Sequence, residues 1–329
     1  MNIDNILRKF AQLNVLVVGD LMIDQYLLGV VNRVSPEAPV PIVEWKGAEN
    51  RLGGAANVAS NVVALGAKAV LCGVVGKDEE SELFYNLLNS KNIDSSLVLQ
   101  ITSRQTTIKS RVIANDQHLL RIDKEERKPL EAEQAKTLIK RVIDYLRSNR
   151  ADIIILQDYN KGVLTPSVIK ELIQLGESFQ VPIAVDPKYT NFWAYQNVQL
   201  FKPNLKEIKD VIPFEIFETE ESLSAASSFI QNKLASEMLM VTLSDKGLLI
   251  HHEQQTRIYP TDVRQVADVC GAGDAVIAIG ALGYAAGLEQ REIAMLANLA
   301  GGQIVEKVGV VTIDKDQLAK EIRQKTAQL

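Results

Sequence analysis

The sequence predicts an α/β fold, a three-layer sandwich around a mainly parallel sheet with a small β-ribbon lid. Short uninterrupted apolar runs alternate with helical patterns along the chain, the signature of parallel strands covered on both faces. Two proline-bearing or strictly alternating stretches break this rhythm and read as antiparallel ribbons. Two glycine-rich turns, around 53–59 and 268–274, open apolar helices where ligands gather in such folds.

The apolar runs are NVLVVG (14–19), AVLCGVVG (69–76), DIIILQ (152–157), VPIAVD (181–186), VQLFKP (198–203) and EMLMVTL (237–243). Helical spacing predicts helices over 55–65, 81–90, 131–147, 166–179, 220–234, 273–286 and 290–305, and a polar terminal helix over 314–329. The ribbons span about 25–44, with Pro36, Pro39 and Pro41, and about 98–123. Alone they cannot bury both faces, so they should cover the strand ends as a lid or pair with a second subunit. There is no internal repeat or Gly/Ser linker, and 1–329 reads as one domain.

Composition narrows the chemistry. Acidic and basic residues are interspersed at a net charge of −5, so no nucleic-acid or polyanionic surface is indicated. The two cysteines, Cys72 and Cys270, lack metal spacing, the N-terminus lacks a signal-peptide core, and no apolar run is long enough for a membrane span. The expectation is a cytoplasmic protein acting on a small molecule.

Asp268-Val269-Cys270-Gly271-Ala272-Gly273-Asp274 carries the most chemistry. Gly271, Ala272 and Gly273 bring bare N–H groups to the positive end of a helix, an anion site, and Asp274 is either a cap or a base aimed at a substrate hydroxyl. With a carboxyl near its reference value, about 3.9, such a base is expected to be ionised at neutral pH. Gly53, Gly54 and Asn57 in GGAANVA suit either a polyhydroxy sugar or close helix packing. Asp20 and Asp24 follow the first strand as sugar-hydroxyl partners or solvated turn residues, and Lys161 follows the third as a phosphate neighbour or surface turn. Asn204 and Glu207 form a capping box or organise Mg²⁺ through water. Thr242, Ser244 and Gly247 meet nucleotide phosphates or form a plain turn. His251-His252 reads as a strand end, and no P-loop or dinucleotide fingerprint occurs.

GGAANVA, NLKE, VTLSDKG and DVCGAGD, in this order, resemble the ribokinase/PfkB family of sugar kinases over essentially the whole chain. GDLMIDQY, RVSPEAPVPIV, RLGGAANVASN, DYNKG and DPK are most similar to the heptose-7-phosphate kinase domain of bifunctional ADP-heptose synthesis enzymes. The resemblance implies phosphorylation by ATP, with Mg²⁺, of D-glycero-β-D-manno-heptose 7-phosphate at O1, for lipopolysaccharide core synthesis. It makes Asp274 the base, the 271–273 amides the anion hole, and Asn204 and Glu207 the Mg²⁺ and phosphate organisers. Ser244 and Gly247 become the nucleotide loop and Asn298 an adenine-pocket residue. Asp20, Gly53, Gly54 and Asn57 become sugar contacts, and a potassium site is implied near Asp268. Lys109, Arg111 and Lys161 are candidates for the 7-phosphate, since a phosphorylated sugar needs cations. Val269 departs from the threonine of many members. The H-x-G-H of the adenylyl-transfer domain does not occur, so a kinase domain without a nucleotidyltransferase is expected, a homodimer through its lid.

Overall fold

A computed structural model describes residues 1–115 and 117–327. In chain order the first half comprises α1 (Ile3–Phe10), β1 (Asn14–Gly19), β2 (Leu21–Val34), β3 (Pro41–Gly54), α2 (Ala55–Ala64), β4 (Lys68–Gly76), α3 (Glu79–Ser90), β5 (Asp94–Ile101), β6 (Thr107–Ala114) and β7 (Gln117–Lys124). It continues through α4 (Ala132–Ser148), β8 (Ile153–Gln157), α5 (Pro166–Phe179), β9 (Ile183–Asp186), β10 (Leu200–Phe201), α6 (Leu205–Val211) and α7 (Glu220–Leu234). The remainder is β11 (Met238–Thr242), β12 (Leu248–His252), β13 (Gln255–Tyr259), α8 (Ala272–Ala285), α9 (Gln290–Val305) and α10 (Lys315–Ala327).

Nine strands form one sheet in the order β13-β12-β11-β10-β9-β8-β1-β4-β5, parallel from β11 to β5 and closed by the antiparallel pair β12 and β13. Period-2 geometry sends Val15 and Val17 of β1 to one face and Leu16 and Val18 to the other. The first pair packs with α1, α2, α3, α8, α9 and α10, the second with α4, α5, α6 and α7. That is the three-layer sandwich read from the apolar runs. Local sequence starts the helices where expected: Asp78 caps α3 through the Ser81 N–H at 3.0 Å, and Thr165 caps α5 ahead of Pro166.

The second sheet has the order β3-β2-β6-β7. After Gly19 the chain passes straight from the main sheet into β2, and β3 returns it to α2. Gly19 has no alternative here, because a Cβ would lie 2.1 Å from the Gln157 carbonyl oxygen. The first ribbon is longer than the sequence suggests, since β2 and β3 pair from Leu21 opposite Gly54 to Val34 opposite Pro41. The second is shorter, because Val98 pairs with Gly73 within β5 of the main sheet, leaving β6 and β7 as the ribbon proper. His251 and His252 lie within β12, and His251 is buried with Nδ1 bonded to the Thr256 hydroxyl at 2.7 Å. No helix among the described residues is long and apolar enough to cross a membrane.

Candidate active site

Register along the parallel strands collects the site at one sheet edge. Gly19 pairs with Gln157 and Gln157 with Asp186, while the Lys202 N–H reaches the Val185 carbonyl at 2.8 Å, so residues 19–24, 157–161, 186–188 and 202–207 follow neighbouring strand ends. The 268–274 loop meets this edge from α8, whose N-cap Gly271 takes φ +82°. That left-handed conformation favours glycine, and a Cβ would sit 3.0 Å from Asn57 Nδ2.

Asp274, in the first turn of α8, is 3% exposed. Its Oδ2 accepts from Asn57 Nδ2 at 2.7 Å, and its Oδ1 accepts from the Tyr159 hydroxyl at 2.8 Å and Gln157 Nε2 at 3.2 Å. Burial pushes this carboxyl up from its ordinary 3.8 to about 6; the Asn57 and Tyr159 hydrogen bonds and Lys202 pull down, Asp186 pushes up. The expectation of an unshifted carboxyl is thereby corrected: removing its water outweighs the favourable partners. Asp186 is held by Gln157 Nε2 at 3.1 Å and by Lys202 Nζ at 3.1 Å. The Lys202 ammonium lies 3.6 Å from where a Gly273 Cβ would be, so a cation underlies the anion loop.

Past the end of β10, Asn204 and Glu207 form a complete capping box on α6, with Asn204 N to Glu207 Oε2 at 2.9 Å and Glu207 N to Asn204 Oδ1 at 2.8 Å. The other oxygen of Glu207 meets Lys188 Nζ at 2.5 Å. Of the two sequence readings of this pair, the geometry shows the capping box. Thr242 bridges to Asn204, and Ser244 and Gly247 form the turn into β12. At φ +93°, Gly247 packs so closely on the Tyr259 carbonyl that a Cβ would lie 2.2 Å away. Asn298 donates to the Tyr259 and Pro260 carbonyls at 2.9 and 3.2 Å, joining α9 to that turn.

Toward the second sheet, Asp24 pairs with Arg111 of β6, and a Cβ on Gly53 would fall 2.2 Å from Asp24 Oδ2. Gly54, at φ +58°, would similarly press on the Asp20 carbonyl at 2.5 Å. Lys109, two residues before Arg111, places its ammonium 5.2 Å from the centre of the Tyr159 ring. Burial lowers its affinity for a proton, and among the described residues it forms no hydrogen bond or ion pair. Two expected ligands are placed differently. Asp20 is buried and its carboxylate accepts the backbone N–H groups of Tyr159 (2.8 Å), Lys161 (3.0 Å) and Val163 (3.2 Å), while burial and then Asp158 raise it to about 6. It anchors the loop after β8. Lys161 pairs with Glu125, which ties the same loop to the segment after β7.

Asp268 accepts from the N–H groups of Cys270 and Gly309, each at 3.0 Å; burial opposes its ionisation, but these donors hold it below the usual carboxylate range. The neighbouring Val308 and Val310 carbonyls both accept from Arg51 Nη1 at 3.1 Å. Gln157, Tyr159, Asp186, Lys188 and Lys202 were not singled out as site residues by motif, and the signal for them is positional: each stands at or just past a parallel strand's carboxyl end.

Residues 12–317 match the pfkB family carbohydrate kinase profile. The bifunctional protein HldE of Pelobacter propionicus is 39% identical over 315 residues, 95% of this chain and 64% of that protein. HldE of Wolinella succinogenes is 39% identical over 317 residues, covering 96% and 66%. The chain thus spans 64% and 66% of the length of these two curated relatives. Among solved structures, Escherichia coli phosphofructokinase-2 in complex with potassium superposes with a TM-score of 0.79 at 18% identity, covering 96% of this chain and 99% of that one. Arabidopsis thaliana ribokinase complexed with ribose and ATP gives 0.71 at 18%, covering 93% and 98%. A ribokinase-like fold, a glycine loop at a helix start beside a buried carboxylate, and a profile match over nearly the full chain converge: the chain belongs to the pfkB family of carbohydrate kinases, phosphotransferases with a hydroxyl acceptor.

Proposed function

We propose that the chain transfers the terminal phosphoryl group of ATP to O1 of D-glycero-β-D-manno-heptose 7-phosphate. The observation that carries the choice of a phosphorylated sugar is Lys109: a desolvated ammonium that makes no hydrogen bond or ion pair among the described residues, with Asp24, Asp123 and Glu125 acting on it only from beyond contact distance, and that lies over Tyr159, whose hydroxyl touches the base. An anionic group there would repay its lost hydration, whereas a neutral sugar would not. The HldE relatives at 37–39% identity support the heptose.

Phosphoryl transfer demands in-line positioning and neutralisation of charge on the transferred oxygens. The N–H groups of Gly271, Ala272 and Gly273, the helix dipole and Lys202 supply donors and positive charge for that group. Asp274 takes the proton of the attacking hydroxyl, and its raised proton affinity suits it better to that task than an exposed aspartate. Asn57 orients it. Asp24, Gly53 and Gly54 border the sugar side, and Thr242, Ser244, Gly247 and Asn298 the nucleotide side. Asp186 and Glu207, each paired with a lysine (Lys202 and Lys188), would hold a Mg²⁺ through water, with nucleotide phosphates and water as its other ligands. When bound, Mg²⁺ supplies charge neutralisation on the phosphates.

The exposed face of the second sheet supports closure by a second copy. Trp45, Leu120 and Ile122 are 63%, 59% and 51% exposed, an apolar surface unusual for a strand edge left in water. The reading is a cytoplasmic homodimer joined through the lid. The deciding experiment is ADP release with Mg-ATP against heptose 7-phosphate anomers, fructose phosphates, ribose and adenosine. Selective turnover of the β-heptose phosphate, lost in Asp274→Asn, supports the proposal; turnover of another sugar alone replaces the substrate.

A further inference from the structure

Asp274 uses its two oxygens unequally. Oδ1 receives two donors, the Tyr159 hydroxyl and Gln157 Nε2, which fill the two lone pairs of a carboxylate oxygen. Oδ2 receives Asn57 Nδ2 alone, which leaves one lone pair. The donors also differ in how firmly they are held. Gln157 is fully buried on β8 and shares its amide with Asp186, and Asn57 is buried in the first turn of α2. Tyr159 stands in the loop after β8, partly buried, with its N–H tied to Asp20 and its ring centre 5.2 Å from the ammonium of Lys109 on β6 and 5.5 Å from that of Lys188 after β9.

We propose that Tyr159 is the positioning residue of the base: its hydroxyl completes the saturation of Oδ1, leaving Oδ2 as the oxygen that accepts the substrate proton, and its ring couples that arrangement to the lid cation Lys109. The inference rests on Asp274 being the base. Burial keeps the phenol protonated far above neutral pH, so it remains a donor throughout the working range. A donor to a carboxylate favours the ionised form, so Tyr159 also extends the range over which the base is active toward acid. The charged groups facing Asp274 are Asp186 from the end of β9, Lys188 just beyond it, and Lys202 after β10; Asn57 and Gln157 are neutral. None of these is altered by removing one hydroxyl.

The test is Tyr159→Phe, with Asp274→Asn as the control for the base. The acid limb of kcat/KM, measured with whichever acceptor turns over, should move up by about one to two pH units, the worth of a hydrogen bond to a charged group. Turnover depressed at pH 6 should recover to within a few-fold of wild type by pH 8.5, a recovery that a misshapen site would not show. An unmoved limb, or a loss equal at every pH, overturns the inference. A second measurement needs no substrate. The pH at which the stability difference between wild type and Asp274→Asn levels off, set by the native pKa of the carboxyl, should lie higher by the same interval in the Tyr159→Phe background, while its onset near pH 4 stays put; an unchanged levelling-off point overturns the inference independently. Should Asp274→Asn itself retain turnover, the assignment of the base fails first and is recognised as such.

Discussion

Replacing Asp274 by Asn should abolish most turnover while making the protein more stable at neutral pH. The carboxyl rises from 3.8 to about 6 on folding because burial strips its water. A native pKa above the unfolded one means that stability is fully present below pH 4 and is lost as pH climbs through about 6, a native-state penalty of about 3 kcal/mol at neutral pH. Asn carries no charge and escapes that penalty. The amide cannot accept from Asn57, Tyr159 and Gln157 together, so one donor loses its partner at a cost of about 1–3 kcal/mol, but this offset does not depend on pH. The stability difference between the two proteins should therefore grow by about 3 kcal/mol in favour of Asn between pH 4 and pH 7 and stay level above. Urea denaturation of both at intervals across pH 4–8 gives the difference curve, in which every other titrating group cancels. Turnover should fall by about 10²- to 10⁴-fold. A flat difference curve would refute the claim that Asp274 is held desolvated, and near-normal turnover would refute its role as base.

Other consequences follow from the same geometry. The rate profile of the wild type should drop about tenfold per pH unit below about 6, as the base is protonated, which initial rates over pH 5–8 will show. Gly271→Ala forces a side chain into φ +82° and against Asn57 Nδ2 at 3.0 Å, so kcat should fall by about tenfold or more with the fold retained by circular dichroism. Lys109→Met should raise KM for a phosphosugar by about 10- to 100-fold and leave KM for ATP unchanged, since a charged hydrogen bond is worth about 1.5–3 kcal/mol; equal changes in both would remove Lys109 from the sugar side. Leu120→Asp combined with Ile122→Lys should shift sedimentation toward monomer, and an unaltered distribution would place any dimer contact elsewhere.

The layered fold was legible because a parallel strand buried on both faces must be apolar throughout, so β1, β4, β8 and β11 announce themselves as short runs between helices. The loop at 271–274 was legible for a similar reason: only glycine tolerates φ +82° with Asn57 against it. The ends of the ribbons were not. Val98–Ile101 runs on without a turn signal toward the alternating stretch that follows, but its pairing with β4 depends on which edge of the sheet is vacant, a property of topology.

What the amino-acid sequence determined by itself is the set of local commitments: where strands run apolar, where glycine permits a turn, where Asn204 and Glu207 cap a helix, and that an aspartate opens α8. Each depends on neighbours within a few residues. Only the tertiary structure decided what those residues face. It bound Asp20 to the backbone of 159–163, gave Lys161 to Glu125 and left Lys109 without an ion pair at contact distance among the described residues. It also brought Tyr159, Gln157 and Asn57, from positions more than one hundred residues away, onto the carboxylate of Asp274. Burial and charge pairing are sums over contacts between distant segments, and strand order and register set those contacts; composition and local spacing do not contain them.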